Sequence, residues 1–173
     1  MQALTFWKTV TVDHTGLLER LIALLRERDI RFCVIGGQAV NAYVEPLVSL
    51  DLDIVIATEQ IDDATTLLSK MFRLERFLHT LNISLAGSDL RAQIHMDPRY
   101  NEFVARAAPR QVLGLVLPVA SLDDVLHSKV WAIQDTSRRA SKRQKDLADI
   151  ARLLEAYPLL RAQVPNDVLA RLV

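Results

Sequence analysis

The sequence predicts an α+β fold, a mixed β-sheet flanked by helices and followed by a C-terminal helical pair. Up to residue 117, segments with helical periodicity alternate with short aliphatic runs typical of strands. Turn residues separate several of those runs, as in a sheet with hairpins. The remaining third of the chain has the helical period alone. We therefore expect one α+β domain over residues 1–117 and a helical segment packed on it over residues 118–173.

The first half of the chain alternates helices with buried strands. Leucines recur at helical spacing in the predicted first helix, and the next strand is a short apolar run that Gly36 and Gly37 end. The predicted elements are a helix over Thr11–Arg28, a strand over Arg31–Ile35, a helix over Gln38–Val44, a strand over Leu50–Ala57 and a helix over Gln60–Met71.

The middle of the chain predicts a group of strands and one short helix. The turn residues Ala86–Asp89 (AGSD) are typical of a hairpin, and Pro98 ends the strand that follows because proline has no N–H for the ladder. The predicted elements are strands over Arg73–His79, Asn82–Ala86 and Leu90–Asp97, a helix over Asn101–Ala107 and a last strand over Gln111–Leu117.

The C-terminal part predicts a pair of helices. Ser121 and Asp124 have the spacing of a capping box at the start of the first helix, Ser121–Gln134. A second helix is expected over Arg138–Ala156, because Pro158 cannot continue it. One or two further turns are expected in Leu159–Val173.

Composition excludes several classes of protein. Half of the 173 residues are hydrophobic and the formal net charge is zero, which argues against a protein that coats DNA. The single cysteine, Cys33, excludes an intrachain disulfide. No apolar run reaches about 18 residues, and the N-terminal MQALTFWKTV lacks the apolar run of a signal peptide. We therefore expect a cytoplasmic protein with no membrane contact.

The predicted strand Leu50–Ala57 (LDLDIVIA) carries two acids, Asp51 and Asp53. Spacing of two residues on a strand sends both side chains to the same face. At about 6 Å and an effective dielectric near 20, they repel by about 3 kcal/mol, which corresponds to about two pKa units on one of them. A divalent cation turns this repulsion into attraction, and carboxylates beside water and phosphate suit Mg²⁺. Two exposed acids at a strand end are the alternative interpretation.

The pair Gly36-Gly37 follows a predicted strand and opens a helix. Glycines at such a turn let the backbone approach a ligand closely, and backbone N–H groups there can receive phosphate. A tight turn between strand and helix explains the pair equally well. The pair and the D-x-D strand together predict a phosphate site beside a metal site.

The order strand, Gly-Gly, helix, loop and D-x-D strand resembles the nucleotidyltransferase superfamily that includes polymerase β. The resemblance is greatest to its small bacterial AbiEii-like (type IV toxin) and MNT-like branches. The matching stretches are VIGGQAVNAYV (34–44) and SLDLDIVI (49–56). LPVASLDDVLHSKVWA (117–132) and RRASKRQKDLADIARLL (138–154) resemble C-terminal segments of the family, so the similarity covers about two thirds of the chain.

The resemblance implies Mg²⁺-dependent transfer of a nucleoside monophosphate from an NTP to a hydroxyl. Asp51 and Asp53 would hold Mg²⁺ or Mn²⁺, which stabilises the attacking and leaving oxygens. Gly36, Gly37 and Gln38 would contact the phosphates. The acceptor, whether a tRNA, a protein or a small molecule, is not identified. A toxin-like role would also imply a cognate antitoxin as partner.

The chain departs from the family pattern near the two acids. The family commonly has a third carboxylate where Gln93 stands here, and a neutral residue should weaken metal binding. His95 and Asp97 follow on the same predicted face, His95 as a candidate base and Asp97 as a candidate completion of the metal site. Many relatives carry an arginine and a threonine where Leu47 and Ser49 stand. We nevertheless expect Ser49 and Gln93 to contact the nucleotide.

Basic residues cluster on the second C-terminal helix. Lys129, on the preceding helix, and Lys145 are candidates for contact with the triphosphate or the acceptor, and the cluster is suited to an RNA backbone or an acidic protein. A solvated helix with internal ion pairs such as Lys145–Asp149 is the alternative. The cluster consists of Arg138, Arg139, Lys142, Arg143 and Lys145.

Two other interpretations stay open beside an active nucleotidyltransferase. Because of Gln93 and Leu47, the chain is also compatible with a catalytically degenerate relative that binds a nucleotide or a partner. An unrelated α+β interaction domain is the third interpretation, and it predicts that the carboxylates of Asp51 and Asp53 point away from the Gly36-Gly37 turn.

Overall fold

The computed structural model describes residues 16–172. The helices are α1 (Leu17–Glu27), α2 (Gly36–Asn41), α3 (Ile61–Leu68), α4 (Phe103–Arg106), α5 (Leu122–Gln134), α6 (Ala140–Ala156) and α7 (Asn166–Leu169). The strands are β1 (Phe32–Ile35), β2 (Asp51–Ile56), β3 (Arg73–Arg76), β4 (Thr80–Ser84), β5 (Arg91–His95), β6 (Ala108–Val112) and β7 (Leu115–Val119). Short 3₁₀ helices lie at Thr58–Gln60, Pro98–Tyr100 and Pro158–Gln163.

The described strands form one mixed sheet of seven in the order β3-β4-β5-β2-β1-β7-β6. The acidic strand β2 lies at its centre, antiparallel to β1 and parallel to β5. In the register, Asp53 is opposite Ile35 on one side and Gln93 on the other. The predicted mixed sheet is therefore confirmed, and β2 lies between the strand that leads into Gly36-Gly37 and the strand that carries Gln93.

Alternation along β2 explains how two acids fit at the centre of a sheet. Leu52 and Ile54 are buried in the core, whereas Asp51 and Asp53 face the other side and are half-buried. All of β1 is buried, as its continuous apolar run predicts. The apolar stripe of α1 adds five buried side chains to the same core: Leu17, Leu18, Leu21, Ile22 and Leu25.

The C-terminal helices pack against the sheet through polar as well as apolar contacts. The backbone N–H of Ala120 donates to the carbonyl of Val34 at 3.0 Å, and the hydroxyl of Tyr157 donates to the carbonyl of Tyr43 at 2.9 Å. Strand β7 spans residues 117 and 118, the predicted boundary between the two parts. Between Gly16 and Leu172, no helix is long and apolar enough to cross a membrane.

The cap of α5 follows only half of the predicted capping box. The Ser121 hydroxyl accepts from the backbone N–H of Asp124 at 3.2 Å, as predicted. The Asp124 carboxylate instead accepts two hydrogen bonds from Arg106, both at 2.9 Å. These hydrogen bonds to a charged partner stand in place of the second half of the capping box, in which the Asp124 side chain would accept from the backbone N–H of Ser121.

Several predicted elements differ from the observed ones in their extent. The predicted strand Gln111–Leu117 is a hairpin of β6 and β7, whose turn places Leu113 at φ 53° and Gly114 at φ 85°. A glycine in a two-residue hairpin turn adopts positive φ easily, so Gly114 is the signal for this turn. Strand β3 ends at Arg76, and the helix predicted over Gln38–Val44 is α2 (Gly36–Asn41). The first five residues of the helix predicted over Thr11–Arg28 lie outside the described residues.

Candidate active site

A cavity of about 750 Å³ lies between one end of the sheet and the helices α5 and α6. The sheet and its connections form one wall, and α5, α6 and the turn between them form the other. Residues lining the sheet wall include Gly36, Gly37, Ser49, Asp51, Asp53, Phe77, Arg91, Gln93, His95 and Tyr100. Those lining the helical wall include Ser128, Lys129, Arg138, Arg139, Lys142, Lys145 and Asp146.

The Gly36-Gly37 turn packs directly against the acidic strand. Gly36 has φ 68°, and a Cβ there would lie 2.4 Å from Oδ2 of Asp53. A Cβ on Gly37 would lie 3.0 Å from the hydroxyl oxygen of Ser49 and 3.9 Å from Nζ of Lys145. The predicted juxtaposition of the glycine pair with Asp53 is therefore present, and the geometry that the unrelated interaction domain required is not.

Asp53 is paired with His95 across the neighbouring strand. Nε2 of His95 lies 2.9 Å from Oδ1 of Asp53. Burial acts to raise the pKa of Asp53, but the hydrogen bond and charge of His95, with Lys129 and Arg138 further away, hold it below its usual range. The expectation of two mutually repelling acids did not include these cations, which lower the pKa of Asp53.

Asp51 is held more loosely than Asp53. Its Oδ1 lies 3.8 Å from Nε of Arg91, and its Oδ2 lies 3.6 Å from Nζ of Lys142. Both distances exceed that of a good hydrogen bond, and the side chain of Arg91 is 66% exposed. Ion pairs this exposed contribute little, so the Asp51 carboxylate can exchange these cations for another.

The donor set fits a cation that binds together with a polyphosphate. Within residues 16–172, no group of three or more His, Cys, Asp or Glu side chains is arranged to hold a metal ion. Mg²⁺ commonly uses one or two protein carboxylates and completes its shell with water and substrate phosphates. Asp51 and Asp53 open onto a cavity of the size that small ligands occupy, and they would hold such an ion.

The strand next to the acids brings Gln93 and His95 into the cavity but not Asp97. The amide of Gln93 donates to Oδ1 of Asn82 at 2.8 Å. Asp97 lies beyond the end of β5, where it accepts from the backbone N–H of Arg99 at 2.9 Å and from Nη2 of the same residue at 2.8 Å. The expectation that Asp97 lines up with Gln93 and His95 is wrong, because strand alternation ends at His95.

The predicted polar residues around the glycine turn separate into two groups. Ser49 is buried and lines the cavity beside Gly37. Gln38 is buried behind the turn, where its amide donates to the carbonyl of Ser49 at 2.9 Å, and it does not line this cavity. The structure thus places Gln38 to hold the loop before β2 rather than to face a phosphate.

Lys129 and Lys145 both line the cavity, in different environments. Lys129 is buried, with Nζ 3.0 Å from Oδ1 of Asp146 and 2.7 Å from Oδ2 of Asp149. Burial acts to lower the pKa of Lys129, but the two aspartates hold it above its usual range. The expected Lys145–Asp149 pair is replaced by Lys129–Asp149, so the solvated face expected for this helix is partly a buried ion network.

Sequence reasoning missed several residues that the fold brings to the cavity. Arg91 is opposite Asp51 in the parallel pair β2–β5, and its spacing of two from Gln93 was a signal for the same face. Tyr100 lies against His95 with ring centroids 5.8 Å apart, and burial raises the pKa of Tyr100 to about 12. No local pattern pointed to Tyr100, which ends the 3₁₀ helix Pro98–Tyr100. Phe77 fell inside the predicted strand Arg73–His79, whereas β3 ends at Arg76.

A second group of residues that sequence reasoning did not predict fixes the loop between α2 and β2. Asn41 accepts from the N–H of Leu47 at 3.0 Å and donates to its carbonyl at 2.6 Å. Nη2 of Arg152, on α6, donates to the same Asn41 oxygen at 3.0 Å, and its Nη1 donates to Asp149 at 2.8 Å. The loop that delivers Ser49 and Asp51 is thereby connected to the buried ion network around Lys129.

Comparison with known proteins relates this chain to others through structure. No family model and no curated protein matches the sequence. A crystal structure of ANT(2'')-Ia in complex with adenylyl-2''-tobramycin has a TM-score of 0.59 at 14% identity, over 91% of this chain and 97% of that one. The lincosamide antibiotic adenylyltransferase LnuA, with lincomycin bound, has a TM-score of 0.55 at 11% identity, over 83% of this chain and 99% of that one.

A third solved structure widens the set beyond antibiotic resistance. The crystal structure of a Thermotoga maritima protein assigned as a nucleotidyltransferase has a TM-score of 0.53 at 14% identity, over 77% of this chain and 91% of that one. The chain therefore has the nucleotidyltransferase-like fold that the sequence resemblance implied, including the helices after the sheet. At these identities the likeness concerns the fold.

Proposed function

We propose that this protein is a Mg²⁺-dependent nucleotidyltransferase that transfers a nucleoside monophosphate from an NTP to a hydroxyl of an acceptor. The observation that carries the proposal is the packing of the Gly36-Gly37 turn against Asp53 inside a cavity that Asp51 also lines. The absence of a side chain at Gly36 lets the turn pack against the Asp53 carboxylate, so that the turn and both carboxylates line one cavity that can receive a polyphosphate. The shared fold with enzymes that adenylylate antibiotics supports the same chemistry.

The residues of the cavity divide the work of such a transfer. Asp51 and Asp53 would hold Mg²⁺, which when bound with the nucleotide neutralises triphosphate charge. Lys145, Ser49 and the two glycines would contact the phosphates on one side, and Lys142 and Arg139 on the helical wall add positive charge. His95 fixes the orientation of Asp53 through the hydrogen bond at its Nε2, and in its neutral form its other ring nitrogen is the candidate for accepting the hydroxyl proton.

The transfer itself exchanges one phosphorus–oxygen bond for another. The acceptor hydroxyl oxygen forms a bond to the α-phosphorus of the NTP, and the bond from that phosphorus to the bridging oxygen breaks. Pyrophosphate leaves with the electron pair, and the hydroxyl proton passes to the base. Because the protein does little covalent chemistry, catalysis depends on positioning and on neutralising charge.

The test is transfer of label from an [α-³²P]NTP panel to acceptors in cell extract, with Mg²⁺ or Mn²⁺. We expect Asp53→Asn to reduce transfer at least about a hundredfold, because it removes a carboxylate that would hold the cation neutralising the triphosphate. Asp63→Asn is the matched control, since Asp63 is an exposed acid in the first turn of α3. Transfer that survives Asp53→Asn unchanged would reject the proposal.

For the finer identity of the enzyme we propose a toxin-like role, which the sequence resemblance supports. An AbiEii-like or MNT-like toxin would act in the cytoplasm, modify a tRNA, a protein or a small molecule, and be neutralised by a cognate antitoxin. Co-purification with the product of an adjacent gene, together with growth arrest on expression of the wild type and not of Asp53→Asn, tests this role.

A second candidate function is favoured by Gln93. Its amide is hydrogen-bonded to Asn82, and it adds no charge to the two carboxylates. A degenerate relative would bind an NTP without transferring it. Calorimetry with Mg²⁺ and nonhydrolysable NTPs distinguishes the two, because tight binding with no turnover on any acceptor supports the degenerate protein and clear turnover rejects it.

A further inference from the structure

The order of the strands gives the cavity two sides. The Gly36-Gly37 turn lies at the end of β1, on one side of the acidic strand β2. Strand β5 lies on the other side of β2, and beyond it comes the hairpin of β3 and β4. This inference rests on the proposed function: with a triphosphate at the glycine turn, the β5 side is left for the acceptor.

Phe77 is the large apolar side chain on that acceptor side. It lies in the turn between β3 and β4, where its backbone N–H donates to the carbonyl of Thr80 at 2.8 Å. It lines the cavity, yet its relative exposure is 49%, so its ring is not part of the core. An exposed ring at the wall of a cavity is suited to stacking on a planar group.

Arg91 lies on the same side and carries charge that is only weakly used. Its contact with Asp51 is 3.8 Å, and its side chain is 66% exposed. A guanidinium in such a position can bind a phosphate or stack on a ring. Phe77 and Arg91 therefore offer two complementary contacts to one ligand, a flat face and a cation.

The carboxylates of the cavity argue against a cationic acceptor. Among the described residues that line it, the carboxylates are Asp51, Asp53 and Asp146. Asp146 is taken by Lys129 at 3.0 Å and by Arg138 at 2.7 Å, and the other two are the proposed metal ligands. The acceptor side thus has no acid left to pair with an amine, whereas basic residues surround it.

We propose that Phe77 and Arg91 determine acceptor specificity by binding a nucleotide unit, its base on the Phe77 ring and its phosphate at Arg91. The unit comes either from a free nucleotide or from the end of a nucleic-acid strand, which offer the same ring and phosphate. Its hydroxyl would then attack the α-phosphorus, with pyrophosphate as the leaving group. A polycationic acceptor such as tobramycin is excluded by the same contacts.

The test measures binding to protein saturated with a nonhydrolysable NTP and Mg²⁺, by titration calorimetry. The probes are AMP, a 5′-phosphorylated RNA trinucleotide and tobramycin. We expect Phe77→Ala to weaken binding of the nucleotide probe at least about fivefold, since stacking of one base has that effect. Phe77→Tyr keeps the aromatic ring and should bind the nucleotide probe as the wild type does. Arg91→Ala should weaken binding and reduce its salt dependence.

Two matched controls lie on the same hairpin. Leu78→Ala removes a neighbouring apolar side chain that is 86% exposed and does not line the cavity, and Arg73→Ala removes an exposed cation of β3. Both should bind the probes as the wild type does. Binding of the trinucleotide alone identifies a strand end as the source, and equal binding of AMP identifies a free nucleotide.

Three outcomes would overturn the inference. They are probe binding that Phe77→Ala leaves unchanged, probe binding that the NTP analogue abolishes, and tobramycin binding as tight as that of the nucleotides. The proposed function fails separately, through absence of label transfer. If label transfer depends on Asp53 but probe binding is the same in Phe77→Ala, this inference alone is rejected. If probe binding depends on Phe77 but no label is transferred, the proposed enzyme activity is rejected and the nucleotide-binding site stands.

Discussion

Gly36 and Asp53 are in contact so close that any side chain at position 36 would have to displace the Asp53 carboxylate. A Cβ there would lie 2.4 Å from Oδ2 and 2.9 Å from Cγ of Asp53, and the backbone φ of 68° is itself unfavourable for a side chain. The turn and the acidic strand are therefore one unit, and a change in the first displaces the carboxylate of the second.

Gly36→Ala should reduce nucleotidyl transfer at least about tenfold while the protein stays folded, because the methyl group displaces a carboxylate that must be positioned closely. The measurement is kcat/KM for the NTP, with thermal unfolding followed by circular dichroism. Gly87→Ala is the matched control, since Gly87 also has a positive φ, 85°, in a turn outside the cavity. Equal activity of the two variants would contradict the contact argument.

The elements that depend on local pattern were predictable, and those that depend on tertiary contacts were not. Alternation placed Asp51 and Asp53 on one face, and the apolar run of β1 gave a buried strand. The end of β5 was misjudged, because alternation predicts a face without telling where a strand stops. Asp97 therefore appeared to join His95, whereas its carboxylate folds back onto Arg99.

The C-terminal helices show the same division. Their existence follows from periodicity, but the partner of Asp149 does not. The i,i+4 rule favoured Lys145, yet Nζ of Lys129 from the adjacent helix lies 2.7 Å from Asp149, because the two helices pack against each other around buried charges. Phe77 and Tyr100 were missed for a related reason. The predicted strand continued past Phe77 to His79, and the short 3₁₀ helix that ends at Tyr100 carries no periodic signal.

Cys33 should be unreactive in the native protein. It is fully buried, and this burial, with a small contribution from the charge of Asp124, raises the pKa of its thiol to about 12. We expect iodoacetamide at pH 8 to label it only as the protein unfolds in urea, so that the labelling rate follows the free energy of unfolding. Labelling of all native molecules within minutes would contradict this.

The same thiol makes stability fall with alkaline pH. Its pKa is about 12 in the folded state and about 8.5 in an unfolded chain, so above about pH 8.5 the unfolded state releases a proton that the folded state keeps. The free energy of unfolding should therefore decrease more steeply with pH in the wild type than in Cys33→Ala. Parallel curves for the two proteins would show that the thiol keeps no elevated pKa.

Asp97 should contribute to stability and not to catalysis. Hydrogen bonds from Arg99 and its charge hold the pKa of Asp97 below its usual range, so its contribution is present above about pH 4 and is lost as the pH falls through the folded-state pKa. Asp97→Asn keeps the acceptor for the Arg99 N–H and removes the charge. We expect a loss of about 0.5–1 kcal/mol in the free energy of unfolding at pH 7.

Two measurements check this assignment of Asp97. The free energies of unfolding of Asp97→Asn and wild type should converge progressively as the pH falls below about 4. Label transfer at pH 7 should be the same for both proteins. A large loss of transfer at unchanged stability would return Asp97 to the active site.

Arg152 should act on catalysis through the loop it holds. Its guanidinium connects Asp149 with Asn41 and with the carbonyl of Glu45, and Asn41 closes the loop onto Leu47. Arg152→Ala should lower kcat/KM about tenfold, because Ser49 and Asp51 follow that loop and small displacements are costly. Asn41→Ala should do the same, and the double variant should be no worse than either single one, since both act through one connection. Arg161→Ala is the control, because Arg161 is an exposed cation outside the network. Additive losses in the double variant, or a wild-type kcat/KM for Arg152→Ala, would show that the connection does not position the site.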